Sequence, residues 1–226
     1  MRNQFTPDFD SLPAQLPLFP LTGAVIFPNG QLPLNIFEPR YVSMVMDSLS
    51  SHRLIGMVQP KEITESDDDS AEDSEHNPQL YSTGCAGRIV SFSETRDDRL
   101  LVVLSGVCRF DIVSEFSSEK EYRLAEVEWK RFSSDLIHEE IQIDQGRLLA
   151  SARRFIESKN LSVDWNALDQ LAMPELVDTL ASSLPFSPEE KQGLVEAVVI
   201  HDRLELLTAL CDFGSVDADY EKTVSH

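Results

Sequence analysis

From Leu16 to Phe132 the apolar positions alternate with polar ones over short runs broken by proline and glycine. Beyond Asp135 they recur every three or four residues. Leu16, Leu18 and Leu21 bracket prolines, and Val25, Ile26 and Phe27 form an apolar run stopped by Pro28. "PNG" at 28–30 is a tight-turn signal, with Gly30 free to take a positive φ. In "QLPLNIF" (31–37), Leu32, Leu34 and Ile36 share one face by period two. Pro33 lacks an amide donor, which predicts an edge or a bulge at that point. Short strands punctuated in this way fit a small irregular barrel better than a flat sheet.

Helical spacing first shows in "EPRYVSMVMDSL" (38–49), where Tyr41, Val45 and Leu49 recur at i, i+4 and i+8. Pro39 suits the first turn of that helix, and Glu38 its positive end. Strand-like segments follow at 53–59, 80–94, 99–106, 107–113 and 122–132, with a hairpin around "TRDDR". In 107–113, Cys108, Phe110 and Ile112 share a face opposite Val107, Arg109 and Asp111.

Past Asp135, "LIHEEIQIDQGRLLASARRFIESK" predicts one long helix through Ile137, Ile141, Leu148, Ala152 and Phe155. "DWNALDQLA" predicts a short helix capped by Asp164, and "PELVDTLASSL" one that starts with Pro174 at N1. "SPEEKQGLVEAV" has Ser187 and Glu190 at capping-box spacing, and "DRLELLTALC" repeats Leu204, Leu207 and Leu210. By pattern alone 188–212 reads as one helix. Val198, Val199 and Ile200 cannot all face one stripe, however, which predicts a kink or break between Val198 and His201. The expected architecture is α+β: a β-rich barrel with one short helix over 14–132, a helical bundle over 135–213, and flexible tails at 1–12 and 214–226.

Charge narrows the choice of partner. The 226 residues include 39 acids and 19 bases, a formal net charge of -20. Such a surface repels phosphate backbones and anionic membranes, so neither nucleic acid nor membrane is an expected partner. Part of the excess is local: "EITESDDDSAEDSE" (62–75) has eight acids and no base, and reads as a mobile solvated loop over 62–77. Asp67 and Asp69 alternate as in a calcium loop, but the turn glycine that such a loop needs is absent after Asp69. No apolar run reaches the length of about eighteen residues that a spanning helix needs. "MRNQFTPDFDSLPAQ" lacks the apolar region of a secretory leader. Cys85, Cys108 and Cys211 are odd in number and sit in apolar segments, which predicts reduced thiols and a cytoplasmic address.

The motifs "LPLFPL", "FPNGQLPLNIFEPRY", "RLIGM", "GCAGRIV" and "GVCRF" stand in the order and spacing of the Lon substrate-binding domain, the N-terminal domain of Lon proteases. "SLPFSPEEKQGLVEAVVIHDRLELL" resembles the second half of stand-alone bacterial proteins of that family. The resemblance covers roughly residues 14–212. It implies a PUA-like pseudo-barrel carrying a helical bundle, and a part in capturing polypeptides, as this domain takes in Lon. Cereblon's domain of the same type implies instead a scaffold in protein assembly. Related chains usually place a proline-containing break where this one reads "VEAVVIHDR".

Enzymatic machinery is not legible. These residues hold no Walker A sequence, no "GK" dipeptide, no counterpart of Lon's Ser-Lys protease domain, and no HExxH, GxSxG or CxxC. His52, His138 and His201 have no ligand spacing, so no catalytic, cofactor or metal residue is expected. The leading reading is a non-catalytic polypeptide-binding module, a substrate-recognition or adaptor protein for unfolded or folded clients that works with the proteolysis machinery. The alternatives are a hydrolase built from scattered Asp, Glu and His, favoured by a deep polar pocket, and a PUA-like RNA-binding protein, favoured by a basic patch.

Candidate contact residues are Phe37, Arg40, Tyr41, Arg88 and Arg109. For each arginine the competing reading is an ion pair that orients barrel elements. For Phe37 it is the core, and for Tyr41 a half-buried ring with its hydroxyl at the rim. The expected contact is an apolar patch or groove of the barrel, or its junction with the bundle, with a preference for basic-hydrophobic segments.

Overall fold

The computed structural model describes residues 7–28, 30–62, 78–97, 99–116, 118–137 and 145–224, with side chains as far as 216. The expected acidic loop falls almost wholly on 63–77, and part of the expected long helix on 138–144, both outside the described residues. The chain divides into two compact units, Met1–His138 and Glu139–His226.

The first unit holds strands β1 (Gln15–Pro20), β2 (Gln31–Ile36), β3 (Leu54–Val58), β4 (Thr83–Glu94), β5 (Leu100–Phe116) and β6 (Arg123–Glu128) in one sheet. β1 runs parallel to β3, and the other pairings are antiparallel. The ladders β1–β3–β4–β5–β6 return to β1, so they form a circuit, and β2 hangs on its outside against β5.

Hydrogen-bond parity shows how so many prolines fit among so many core residues. Leu21 donates to the Val58 carbonyl (3.0 Å) and Val127 to that of Ala14 (2.9 Å). Odd-numbered residues of β1 therefore face β3, and even-numbered ones face β6. Pro17 faces β3 before that ladder opens at Leu18 opposite Gly56. Pro20 faces β6 after that ladder ends at Leu18 opposite Arg123. On β2, Gly106 donates to the Gly30 carbonyl (3.0 Å), which places Leu32, Leu34 and Ile36 in the bonded pairs and turns Pro33 outward. Pro17 and Pro20 thus lie outside the paired stretch of the ladder each faces, and Pro33 faces away from its ladder. Between them, Leu16, Leu18, Phe19, Leu34 and Ile36 are buried. Each such side chain contributes roughly 1.5–3 kcal/mol.

Helix α1 (Pro39–Leu49) buries Tyr41, Met44, Val45 and Ser48 along one face, with Pro39 in its first turn. Gly30 closes its turn by donating to the Phe27 carbonyl (2.9 Å), while a positive φ of 73° falls at Gly23. The hairpin around "TRDDR" is present, with Thr95 donating to the Arg99 carbonyl (2.9 Å).

Two strand expectations are corrected. Segments 99–106 and 107–113 form the single strand β5, which bends at Gly106 instead of ending there. A Cβ on Gly106 would lie 1.8 Å from the Phe27 carbonyl oxygen, so only glycine admits that loop. The strand expected over 122–132 stops at Glu128, and Lys130–Leu136 forms a 3-10 helix.

The second unit is helical: α2 (Gly146–Ser158), α3 (Trp165–Leu168), α4 (Met173–Ser183), α5 (Pro188–Glu196) and α6 (Ile200–Val224). Asp164 caps α3 by accepting from Ala167 (3.2 Å), and Ser187 and Glu190 form a reciprocal capping box on α5. The expected break is present, over residues 197–199, just ahead of the position predicted. Helix α6 runs on to Val224, so 214–224, expected as a tail, has helical backbone.

Candidate functional site

The sequence around the start of α1 builds one wall of an open groove in the first unit. Glu38 precedes the helix but makes no capping bond with its side chain. Its carboxylate is taken by Arg40, through Nε (3.0 Å) and Nη2 (2.8 Å). The Arg40 guanidinium lies 4.6 Å from the centre of the Tyr41 ring, which meets Phe19 edge-on at 4.3 Å. Pro20 and Leu21, at the end of β1, continue that wall.

The turn into β6 also lines the groove. Tyr122 donates its hydroxyl to Asp47 of α1 (2.8 Å), and Lys120 donates to the same oxygen (2.8 Å). Arg123 holds Glu115 through two bonds (2.6 and 2.5 Å) and donates to the Pro78 carbonyl (2.7 Å). Pro60 and Pro78 close one side, and Glu121 stands exposed at the rim. The groove encloses about 190 Å³.

Burial raises the pKa of two tyrosine hydroxyls and one thiol of this unit. Burial raises the Tyr41 hydroxyl above its ordinary pKa, and burial with the Asp47 hydrogen bond pushes Tyr122 up to about 12. Burial first, and the Asp135 charge second, drives the Cys108 thiol far above its usual range. In the second unit burial pushes Cys211 up to about 12. Neither thiol is a nucleophile near neutral pH. Among the described residues no group of three or more His, Cys, Asp or Glu is placed to hold a metal ion. No described helix is long and apolar enough to cross a membrane.

The five candidate residues separate. Arg40 and Tyr41 line the groove, although Tyr41 is more deeply buried than the half-buried position expected. Phe37 is 63% exposed, not in the core, and lies outside the groove with the Arg99 guanidinium 5.7 Å from its ring centre. Arg88 is half-buried on β4, opposite Leu54 and Ser105. Arg109 is buried: Nε and its backbone amide both donate to Asp135 (2.9 Å each), Nη2 reaches the second oxygen (2.7 Å), and the guanidinium lies 4.4 Å from the Phe132 ring. It pins the 3-10 helix to β5 and presents nothing to a partner. Arg131 and Arg154 are likewise paired, with Asp111 and Asp212, so these arginines form no free basic patch.

Tyr122, Glu121 and Arg123 were not legible as site residues. The run "EKEYR" reads locally as a polar turn ahead of a strand. What brings Tyr122 to the groove is a bond to Asp47 across 75 positions of sequence.

Residues 15–212 match the family described as the ATP-dependent protease La (LON) substrate-binding domain. The chain is 27% identical over 204 residues to a Lon protease of Anaeromyxobacter dehalogenans, covering 89% of this chain and 23% of that protein. It is 32% identical over 213 residues to Lon protease 2 of Sorangium cellulosum, covering 91% of this chain and 25% of that one. It thus spans about a quarter of the length of the curated relatives it matches. Its fold is similar to the crystal structure of a Lon N-terminal domain protein from Xanthomonas campestris, with a TM-score of 0.59 and 25% identity over 86% of this chain and 97% of that one. The N-terminal domain of the Mycobacterium avium complex Lon protease is similar in fold, with a TM-score of 0.55 and 15% identity over 87% and 97%.

Proposed function

This chain belongs to the family of LON substrate-binding domains, and on that premise we propose that it recognises polypeptide and carries out no chemistry of its own. Its role is that of a substrate-recognition or adaptor module. The observation that carries this reading is the open groove between Tyr41 and Tyr122, walled by aromatic rings and prolines and closed by committed ion pairs. Such a surface offers apolar area to a chain segment. The circuit of ladders supports the reading of the first unit as a PUA-like pseudo-barrel.

Clients are unfolded or folded polypeptides, and the proteolysis machinery is the partner that the family suggests. The burial of Cys85, Cys108 and Cys211 as thiols supports a cytoplasmic address. Phe37, Arg40 and Tyr41 are the residues of the contact surface, Phe37 as an exposed ring beside the groove. Affinity for any one segment is expected near micromolar or weaker, because ordering a flexible client offsets much of the apolar gain.

The test is a peptide array probed with the whole chain, beside a pull-down read by mass spectrometry. Binding to apolar segments, weakened by Phe37→Ala, supports the reading. Failure to bind any peptide, with capture of one folded protein, replaces it with a scaffold for folded partners. ATP hydrolysis or casein cleavage that survives repurification and is lost in a point variant overturns the non-catalytic half.

A further inference from the structure

The charges that line the groove are already committed, with one exception. Arg40 and Glu38 hold one another (2.8 Å). Arg123 is held by Glu115 and by the Pro78 carbonyl. Lys120, next to the rim, is paired with Asp47 (2.8 Å). Glu121 stands at the rim, exposed, with neither hydrogen bond nor ion pair among the described residues. The net unspent charge of the lining is therefore negative.

Size restricts the occupant as sharply as charge does. A volume of about 190 Å³ lies below the roughly 300 Å³ at which small-molecule and cofactor sites begin. It accommodates about one large side chain, and Phe19, Tyr41 and Tyr122 are among the residues that line it. An acidic client residue would stand beside Glu121 and find both lining arginines already paired. A lysine or arginine would supply the cation that Glu121 lacks.

We infer that the groove reads a pair of adjacent residues in a client chain, a large apolar side chain seated between Tyr41 and Tyr122 and a lysine or arginine beside it that pairs with Glu121. The inference rests on the polypeptide-binding reading and gives it a recognition element. Glu121 sets the choice of charge, and the aromatic walls set the choice of side chain.

The experiment compares three fluorescein-labelled peptides that share a Gly-Ser frame and differ in one central pair: Phe-Lys, Phe-Glu and Ala-Lys. Each is titrated by anisotropy against the whole chain and against Glu121→Gln and Glu121→Lys, both at an exposed position where folding is undisturbed. Phe-Lys is expected to bind best. Glu121→Gln weakens it by up to about fivefold, the range open to an exposed ion pair, and leaves Phe-Glu unchanged. Glu121→Lys reverses the order of Phe-Lys and Phe-Glu, and added salt shrinks both effects. Backbone amide shifts of Leu21 and Tyr122 move on titration with Phe-Lys. If Phe-Lys binds equally to all three proteins, or no better than Ala-Lys, the inference is overturned and the wider polypeptide-binding reading stands. If none of the three binds, the inference is again overturned, and the array decides the wider reading separately.

Discussion

Arg203 of α6 pairs with Asp178 of α4 in the interior of the helical unit, where both side chains are almost wholly buried. The same guanidinium donates to the carbonyls of Leu194 (3.2 Å) and Ala197 (3.4 Å) at the end of α5. A helix that stops leaves carbonyls without intrahelical donors. Here Arg203 supplies donors, and Asp178 balances its charge. The break at 197–199 is thus held by a side chain that follows it in sequence.

Replacing Arg203 by Met removes the cation that pairs with the buried Asp178 carboxylate. The expected cost is about 3–5 kcal/mol, read as a lower urea midpoint followed by circular dichroism. The double variant Arg203→Met with Asp178→Leu removes both buried charges and recovers part of the loss. A single-variant cost below about 1 kcal/mol would show that the pair does not hold the break.

Arg109 and Asp135 make the corresponding test in the first unit. Asp135→Ala removes an acceptor that the Arg109 guanidinium and its backbone amide share. A loss of about 3–5 kcal/mol is expected. Peptide affinity measured well below the transition stays unchanged, since Arg109 touches no client. A selective loss of binding with stability intact would return Arg109 to the contact surface.

Pro33 guards the outer edge of β2. Pro33→Val restores an outward amide on a strand whose free edge also carries Gln31 and Asn35. Exposed edges with complete donors invite strand pairing between copies. Sedimentation velocity is expected to show concentration-dependent association in the variant beyond that of the parent. Identical profiles would mean that the edge is protected in some other way.

The groove wall around Tyr122 is tied down by an acid-sensitive contact. Hydrogen bonds from Lys120, and then from Tyr122, hold the Asp47 carboxyl below its usual pKa. Because the folded-state pKa is depressed, this contribution is complete above the ordinary carboxylate pKa and is lost as pH falls through the lowered one. Asp47→Asn therefore destabilises near neutral pH, and the gap from the parent closes in acid, as pH falls through the lowered carboxyl pKa. Urea midpoints at neutral and acid pH check it, and a gap that persists in acid would point to packing instead.

What the sequence determined by itself was local. Ser187 with Glu190, Asp164 with its helix, Pro174 in a first turn and the hairpin at "TRDDR" all satisfy backbone groups within a few residues, so neighbours suffice to announce them. The apolar alternation likewise marked Leu34 and Ile36 as core, and the motif order identified the family before any coordinate.

Only the tertiary structure decided the rest. Period two cannot tell whether a strand ends or bends at Gly106, because that depends on the Phe27 loop approaching from far away in sequence. Phe37 and Tyr41 have similar hydropathic claims on the core, and the packing of α1 against Phe19 buries the second and leaves the first outside. The groove exists because Asp47 captures Lys120 and Tyr122 across more than seventy positions, with both partners specified and their meeting unspecified until the sheet closes. Chain closure over such distances is a property of the whole packed unit, and no local run of residues encodes it.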